Sequence, residues 1–181
     1  GGVVVENDQV LGSSPMEPEL WQAVVASMAS KRVLANGVIV LSGQKGAYTN
    51  VTNSTETWGR TRYFYEMLTH SDRLTDVDDE IYKVDVNWPG VGDVRDKHAT
   101  LVGEFGDQLA EVMSGYSGID IIKPHVTKAY GLEQLQRIWN VSMAETMAFG
   151  DNQNDAAMLQ DAKYGYLSLI HISEPTRPEP I

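Results

Sequence analysis

The sequence predicts an α/β protein, and three observations carry that prediction. Met147-Ala148-Phe149 is a short apolar run that ends in a glycine turn and passes into a helical pattern near Asn154 or Asp155, with Ala157, Met158 and Leu159 on its inner side. Ile119-Asp120-Ile121-Ile122 repeats the arrangement upstream: a strand, a loop, then Lys128 opening a helix that runs to residue 139. A third strand pattern follows at 164–166. A βαβαβ run of this kind implies parallel strands joined by right-handed crossovers.

The elements before this run follow in chain order. Residues 1–10 alternate β-branched and polar side chains around Asn7-Asp8, the pattern of a β-hairpin. Ser13 and Ser14, with Pro15 and Pro18 close behind, mark a helix start with Ser as N-cap. Leu20, Trp21, Val24, Val25 and Met28 then recur at helical spacing and make a core face. A strand over 38–41, a turn at Gly43-Gln44-Lys45-Gly46 and a partner strand over 47–49 come next, with Lys45 read as a solvated turn residue.

A helix is expected over 54–70, capped by Ser54 or Thr55. Trp58, Thr61, Phe64, Tyr65 and Leu68 would form its buried stripe. Residues 72–80 read as an acidic loop, and 81–87 as a half-exposed strand. Trp88-Pro89-Gly90 makes a turn, and 96–113 a helix whose inward residues are Leu101, Val102, Phe105, Leu109 and Val112. In the helix over 128–139, Leu132, Leu135 and Ile138 face inward.

Composition bounds the function. The chain has 181 residues, 42% of them hydrophobic and 22% charged, as in globular proteins of one domain or two small ones. No apolar run is long enough to span a bilayer and no amino-terminal signal pattern is present, so a membrane role is not expected. With 25 acidic and 14 basic residues the net charge is −11, which disfavours a nucleic-acid partner, since that partner needs clustered Lys and Arg. The absence of cysteine excludes disulfides and thiolate zinc sites and fits a reducing cytoplasm. His70, His98 and His125 are scattered without metal-ligand spacing.

Chemistry concentrates at Gly150-Asp151-Asn152-Gln153-Asn154-Asp155. Two carboxylates and several carboxamides crowd a turn at the carboxyl end of a strand, the edge at which open α/β sheets bind ligands. Such hard oxygen donors suit Mg²⁺. A plain acidic turn with an Asx-type helix cap uses the same residues.

Lys128 at a helix start, followed after the next strand by Gly150-Asp151-x-x-Asn154-Asp155 and Ala156-Ala157-Met158-Leu159, resembles the haloacid dehalogenase superfamily, and within it the Cof-type (HAD-IIB) sugar-phosphate phosphatases. The resemblance is strong over 117–162 and looser upstream; Ala129 stands where members carry glycine. It implies a partial Rossmann-like parallel-sheet core with an inserted α/β cap domain. Residues 1–10 would end the first core segment, 11–116 form the cap and 117–166 the carboxyl-terminal part of the core. Residues 167–181 resemble a translated sequencing adapter and are read as a non-native tail.

The resemblance further implies a Mg²⁺-dependent phosphatase that acts on small phosphorylated metabolites, sugar phosphates among them, through an aspartyl-phosphate. Lys128 would be catalytic and bind substrate phosphate. Asp155 would be catalytic through Lys128 or bound water, Asn154 would bind substrate, and Asp151 would ligate the metal. The family's Asp-x-Asp nucleophile and its Ser/Thr motif have no counterpart in the chain. Asp76-Val77-Asp78 matches only superficially, since no buried strand precedes it, and the chain is therefore expected to be inactive by itself. Two alternatives stay open: a non-catalytic phosphate- or metal-binding module, and a phosphomutase or mannosyl-phosphoglycerate-type phosphatase of the same superfamily.

Overall fold

The computed structural model describes residues 2–7, 9–114, 117–151 and 155–167. In chain order these form β1 (Val3–Glu6), β2 (Gln9–Ser13), α1 (Pro18–Ser30), β3 (Val38–Gly43), β4 (Ala47–Thr49), α2 (Glu56–Phe64) and β5 (Leu68–His70). β6 (Ile81–Asn87), α3 (Arg95–Phe105), β7 (Ala110–Ser114), β8 (Gly118–Ile122) and α4 (Lys128–Trp139) follow, then β9 (Met147–Gly150), α5 (Ala156–Gln160) and β10 (Tyr164–Leu167). The α/β class is as expected. Two compact units result: a larger one of residues 14–124, and a smaller one that joins residues 3–13 to those from 125 onward.

The larger unit is a six-stranded sheet in the order β5-β4-β3-β6-β8-β7. Every neighbouring pair is antiparallel except β4 and β5, which are parallel. Side chains alternate across a sheet with period two. Ile39 and Leu41 of β3, Val84 and Val86 of β6, and Ile119 and Ile121 of β8 therefore share one face. There they pack with Trp21, Val24 and Met28 of α1 and Leu101 and Phe105 of α3. Each aliphatic side chain fully buried in this layer stabilises the unit by about 1.5–3 kcal/mol. Trp88 closes the layer, its indole N–H donating to Leu34 O at 3.2 Å.

In the smaller unit, β1 and β2 form an antiparallel hairpin whose turn contains Asn7 at a left-handed φ of 48°. β9 and β10 pair in parallel around α5. The buried apolar set here is small: Val4, Val126, Ala129, Ala148 and Ala162. Phe149 and Tyr166 stack on an exposed face at a centroid distance of 5.3 Å.

Several expectations are corrected. The strand over 119–122 is not a parallel neighbour of β9; as β8 it pairs antiparallel with β6 and β7, so the division between units falls at Pro124/His125 rather than at 116/117. The helix expected over 54–70 stops at Phe64, because Leu68–His70 pairs with β4 instead. Its aromatic stripe is not core: α2 buries no residue, and Phe64 is 77% exposed. The helix expected over 96–113 stops at Phe105. Gly106 follows, and a Cβ there would lie 2.6 Å from Val102 O; residues 110–114 then join the sheet edge as β7. Val102 and Val112 are exposed, not inward.

Glu17, not Ser13 or Ser14, holds the N-cap position of α1, while Thr55 caps α2 as expected. In α4 only Ala129 is buried, and Ile138 is 45% exposed. Leu167, assigned to a non-native tail, pairs with Gly150 as the last residue of β10; the remainder of that tail lies outside the described residues.

The alternation in β8 gives a direct test. Ile121→Ala, at 0% exposure, is expected to cost about 3 kcal/mol by cavity formation, and Ile122→Ala on the other face distinctly less. Urea unfolding followed by tryptophan fluorescence reads both, since Trp21 and Trp88 lie in this unit's core.

Candidate active site

Lys128, Asp151 and Asp155 come together in the smaller unit through one buried carboxylate. Asp155 stands at the N-cap of α5 and is 2% exposed, the only described acidic residue that is buried. An ionised carboxylate removed from water needs a cation and hydrogen-bond donors to replace its hydration. Both are present. Lys128 Nζ donates to Asp155 Oδ1 at 2.5 Å, and the Asp151 backbone N–H donates to Asp155 Oδ2 at 3.0 Å. The two arms of one side chain thus tie the start of α4 to the end of β9.

Local sequence chemistry sets up each arm. Thr127 caps α4, its side chain accepting from the Tyr130 N–H, and this starts the helix at Lys128 itself. His125 takes a left-handed φ of 65° in the preceding turn, where Thr127 N–H donates to His125 O at 3.0 Å. Buried Val126 anchors the loop beneath. Across from it, Gly150 must be glycine. A Cβ at that position would lie 2.5 Å from Asp155 Cβ and 2.9 Å from its Cγ, so any side chain would drive the carboxylate off Asp151.

The arrangement separates the two carboxylates by role. Asp155 is enclosed and engaged on both oxygens. Asp151 follows directly after β9 and is exposed. Lys128 is 49% exposed, and among the described residues Asp155 is its one recorded hydrogen-bond acceptor. An ammonium carries three N–H donors, so a cation held in place by Asp155 still has donors to offer an anion. Among the described residues no group of three or more His, Asp or Glu side chains is placed to hold a metal ion. The fit to a hard divalent cation therefore rests on Asp151 as one exposed carboxylate, with water and a ligand oxygen completing the shell, as is usual for Mg²⁺.

Asn154, expected to bind substrate, lies outside the described residues, as do Asn152 and Gln153. Thr127 and Gly150 were not singled out from sequence, although a threonine just before the helix lysine and a glycine just before the first aspartate are both visible signals. The remaining candidates behave structurally. Lys45 Nζ donates to Asp78 O, His70 sits between Val51 O and Asp72, and His98 contacts Glu111 O. Residues 74–76 form a short 3₁₀ turn, so Asp76 and Asp78 do not project from a strand end.

A family model described as haloacid dehalogenase-like hydrolase matches residues 1–167. Over 168 residues the chain is 27% identical to 5-amino-6-(5-phospho-D-ribitylamino)uracil phosphatase YbjI of Escherichia coli (strain K12), covering 92% of this chain and 60% of the relative. Among solved structures, SMU.1108c from Streptococcus mutans UA159 aligns with a TM-score of 0.76 at 25% identity, over 92% of this chain and 62% of that one. The HAD subclass IIB sugar phosphatase BT4131 aligns at 0.70 with 14% identity, over 90% and 59%, a likeness of fold. The chain spans about three fifths of the length of these relatives.

Two outcomes test the local geometry. Gly150→Ala is expected to cost about 1–3 kcal/mol through overpacking and to speed hydrogen exchange at the Asp151 amide, which Asp155 otherwise protects. His125→Gly relieves a left-handed residue and is expected to stabilise by about 1 kcal/mol in thermal or urea unfolding.

Proposed function

We propose, on the premise that the chain belongs to the haloacid dehalogenase-like hydrolase family, that the protein carrying it is a Mg²⁺-dependent phosphatase of small phosphorylated metabolites, phosphorylated sugars or alditols among them. The observation that carries this reading is the buried Asp155 carboxylate held between Lys128 Nζ and the Asp151 amide. Phosphoryl transfer asks little covalent chemistry of a protein and rests on positioning and on neutralising charge over the phosphoryl oxygens. A lysine locked at one end by a buried carboxylate suits the second task.

In this reading Lys128 binds a phosphate oxygen, and Asp155 holds the ammonium in place. Asp151 holds Mg²⁺, and Asn154 contributes to the phosphate side. Bound there, Mg²⁺ supplies Lewis-acid neutralisation of the phosphoryl group. The nucleophile of an aspartyl-phosphate route would be a further aspartate, since Asp155 is enclosed and Asp151 is assigned to the metal. The substrate class draws support from relatives: one is described as a phosphatase of a phosphorylated ribitylamino-uracil and another as a sugar phosphatase. Zero cysteines support a cytoplasmic setting. No described helix is long and apolar enough to cross a membrane.

Hydrolysis of p-nitrophenyl phosphate by the protein that carries this chain provides the test. Lys128→Gln is expected to lower kcat by about 10²–10³, the effect of removing one preorganised charge-stabilising donor. Asp151→Asn should raise the Mg²⁺ concentration needed for half-maximal activity. Turnover that ignores both substitutions, or that persists in excess chelator, would overturn the proposal. Mg²⁺-dependent phosphate binding with no product would instead return the non-catalytic reading.

A further inference from the structure

β4, α2 and β5 form a crossover unit: the two strands pair in parallel and the helix lies between them in the chain. A crossover helix ordinarily packs its apolar stripe onto the sheet face beneath it. α2 does not. It buries no residue, whereas α1 buries five, Trp21 and Val24 among them. Tyr63 is 86% exposed and Met67 69%. Between the helix and the sheet lies a cleft of about 850 Å³, lined by Val38, Val40 and Asp85 on one side and by Thr57, Thr61 and Phe64 on the other. Gly59, at the middle of α2, weakens the helix further, and a Cβ there would meet nothing within 4 Å.

The ends of the segment are fixed and its middle is not. On the β4 side, Val51 O meets the His70 ring and the Asn50 carboxamide accepts from Ile39 N–H, both at 3.0 Å. On the β5 side, Ala47 N–H donates to Met67 O at 3.0 Å. The side-chain bonds of α2 itself run within the segment: Thr55 Oγ1 accepts from Trp58 N–H, Thr61 donates to Thr57 O, and Arg60 pairs with Glu56. Tyr65, directly after the helix, reaches the sheet. Its hydroxyl donates to Asp85 Oδ2 at 2.8 Å, with Ser42 of β3 beside it. Lys83 Nζ holds that carboxylate at 3.2 Å and reaches Asp120, opposite Asp85 in the β6–β8 register, at 3.3 Å. A charged acceptor makes the bond stronger than one between neutral groups. Burial, then the Asp85 charge, pushes the Tyr65 hydroxyl well above its ordinary value, so it stays a donor.

We propose that α2 is a hinged flap within the larger unit, which swings off the sheet as one piece while the strands stay folded, and that Tyr65 is its latch. Segments with few buried apolar contacts open at lower free energy than the core around them. The hinges are the stretches between the fixed ends and the helix, residues 52–55 and Glu66. Opening breaks the Tyr65–Asp85 bond and uncovers Val40, and it requires no change in the layer packed under α1 and α3. The flap belongs to the larger unit alone and does not rest on the phosphatase reading.

Amide hydrogen exchange of the 181-residue chain tests it. Amides of residues 57–64 are expected to exchange through a local opening that low urea does not promote, while those of Leu41 and Val84 exchange only on global unfolding. Tyr65→Phe should speed the α2 amides about tenfold and leave Leu41 and Val84 unchanged. Tyr63→Phe, the same chemical change at an exposed hydroxyl, should do nothing. The chain has no cysteine, so Val40→Cys, at a position 2% exposed, supplies a second readout. Labelling of that thiol by a small aromatic disulfide should also rise about tenfold when Tyr65→Phe is added. The proposal is overturned if the α2 amides exchange as slowly as those of Leu41 and Val84, or if Tyr65→Phe changes neither readout. It is equally overturned if Tyr65→Phe speeds the sheet amides as much as those of α2, or if Tyr63→Phe has the same effect.

Discussion

One buried carboxylate constrains the smaller unit more than any apolar contact in it. Among the described residues the apolar core there is thin, five small or medium side chains, and cannot by itself fix where α4 begins relative to β9. Asp155 does so because its charge, once enclosed, has few tolerable arrangements. Lys128 must open the helix, which requires the Thr127 cap; the Asp151 amide must point inward, which requires Gly150 before it to carry no Cβ. A residue at left-handed φ, His125, is tolerated to make the turn. Backbone strain of this sort persists where surrounding interactions over-determine the conformation, commonly at functional sites.

The larger unit obeys a different rule. Its six strands are sorted by period two into an apolar face under α1 and α3 and a mixed face that carries charge, amide and valine side chains. Stability comes from the first face. The second carries a cross-strand Asp85–Asp120 pair that packing alone would not choose.

Much of the candidate site was readable from the sequence because it is local. Lysine at a helix start and aspartates around a strand-end glycine are short-range patterns, and the structure brings Lys128 and Asp155 into contact through them. The topology was less readable, because it depends on pairing at a distance. The βαβαβ pattern suggests a parallel strand over 119–122, yet Asp120 among isoleucines already shows the alternation of a sheet with one polar face, whereas parallel strands covered on both sides run apolar without a break. Residues 68–70 and 110–114 were absorbed into helices because their apolar spacing suits either state. Backbone pairing with β4 and β8 then decided the outcome. The α2 aromatics carry the opposite lesson: helical spacing of Phe64 with Trp58 and Thr61 says which residues share a face, not that anything covers it.

The two lysine–aspartate arrangements can be compared directly, and their stoichiometry separates what each attracts. Lys128 meets one enclosed carboxylate and is half exposed, so its remaining donors stay accessible with the positive charge only once compensated. An anion there gains a charge-assisted hydrogen bond, and a metal on neighbouring Asp151 would add to the attraction. Lys83 meets two carboxylates and is 29% exposed, so its charge is spent within the protein and what remains outward is a pattern of donors and acceptors.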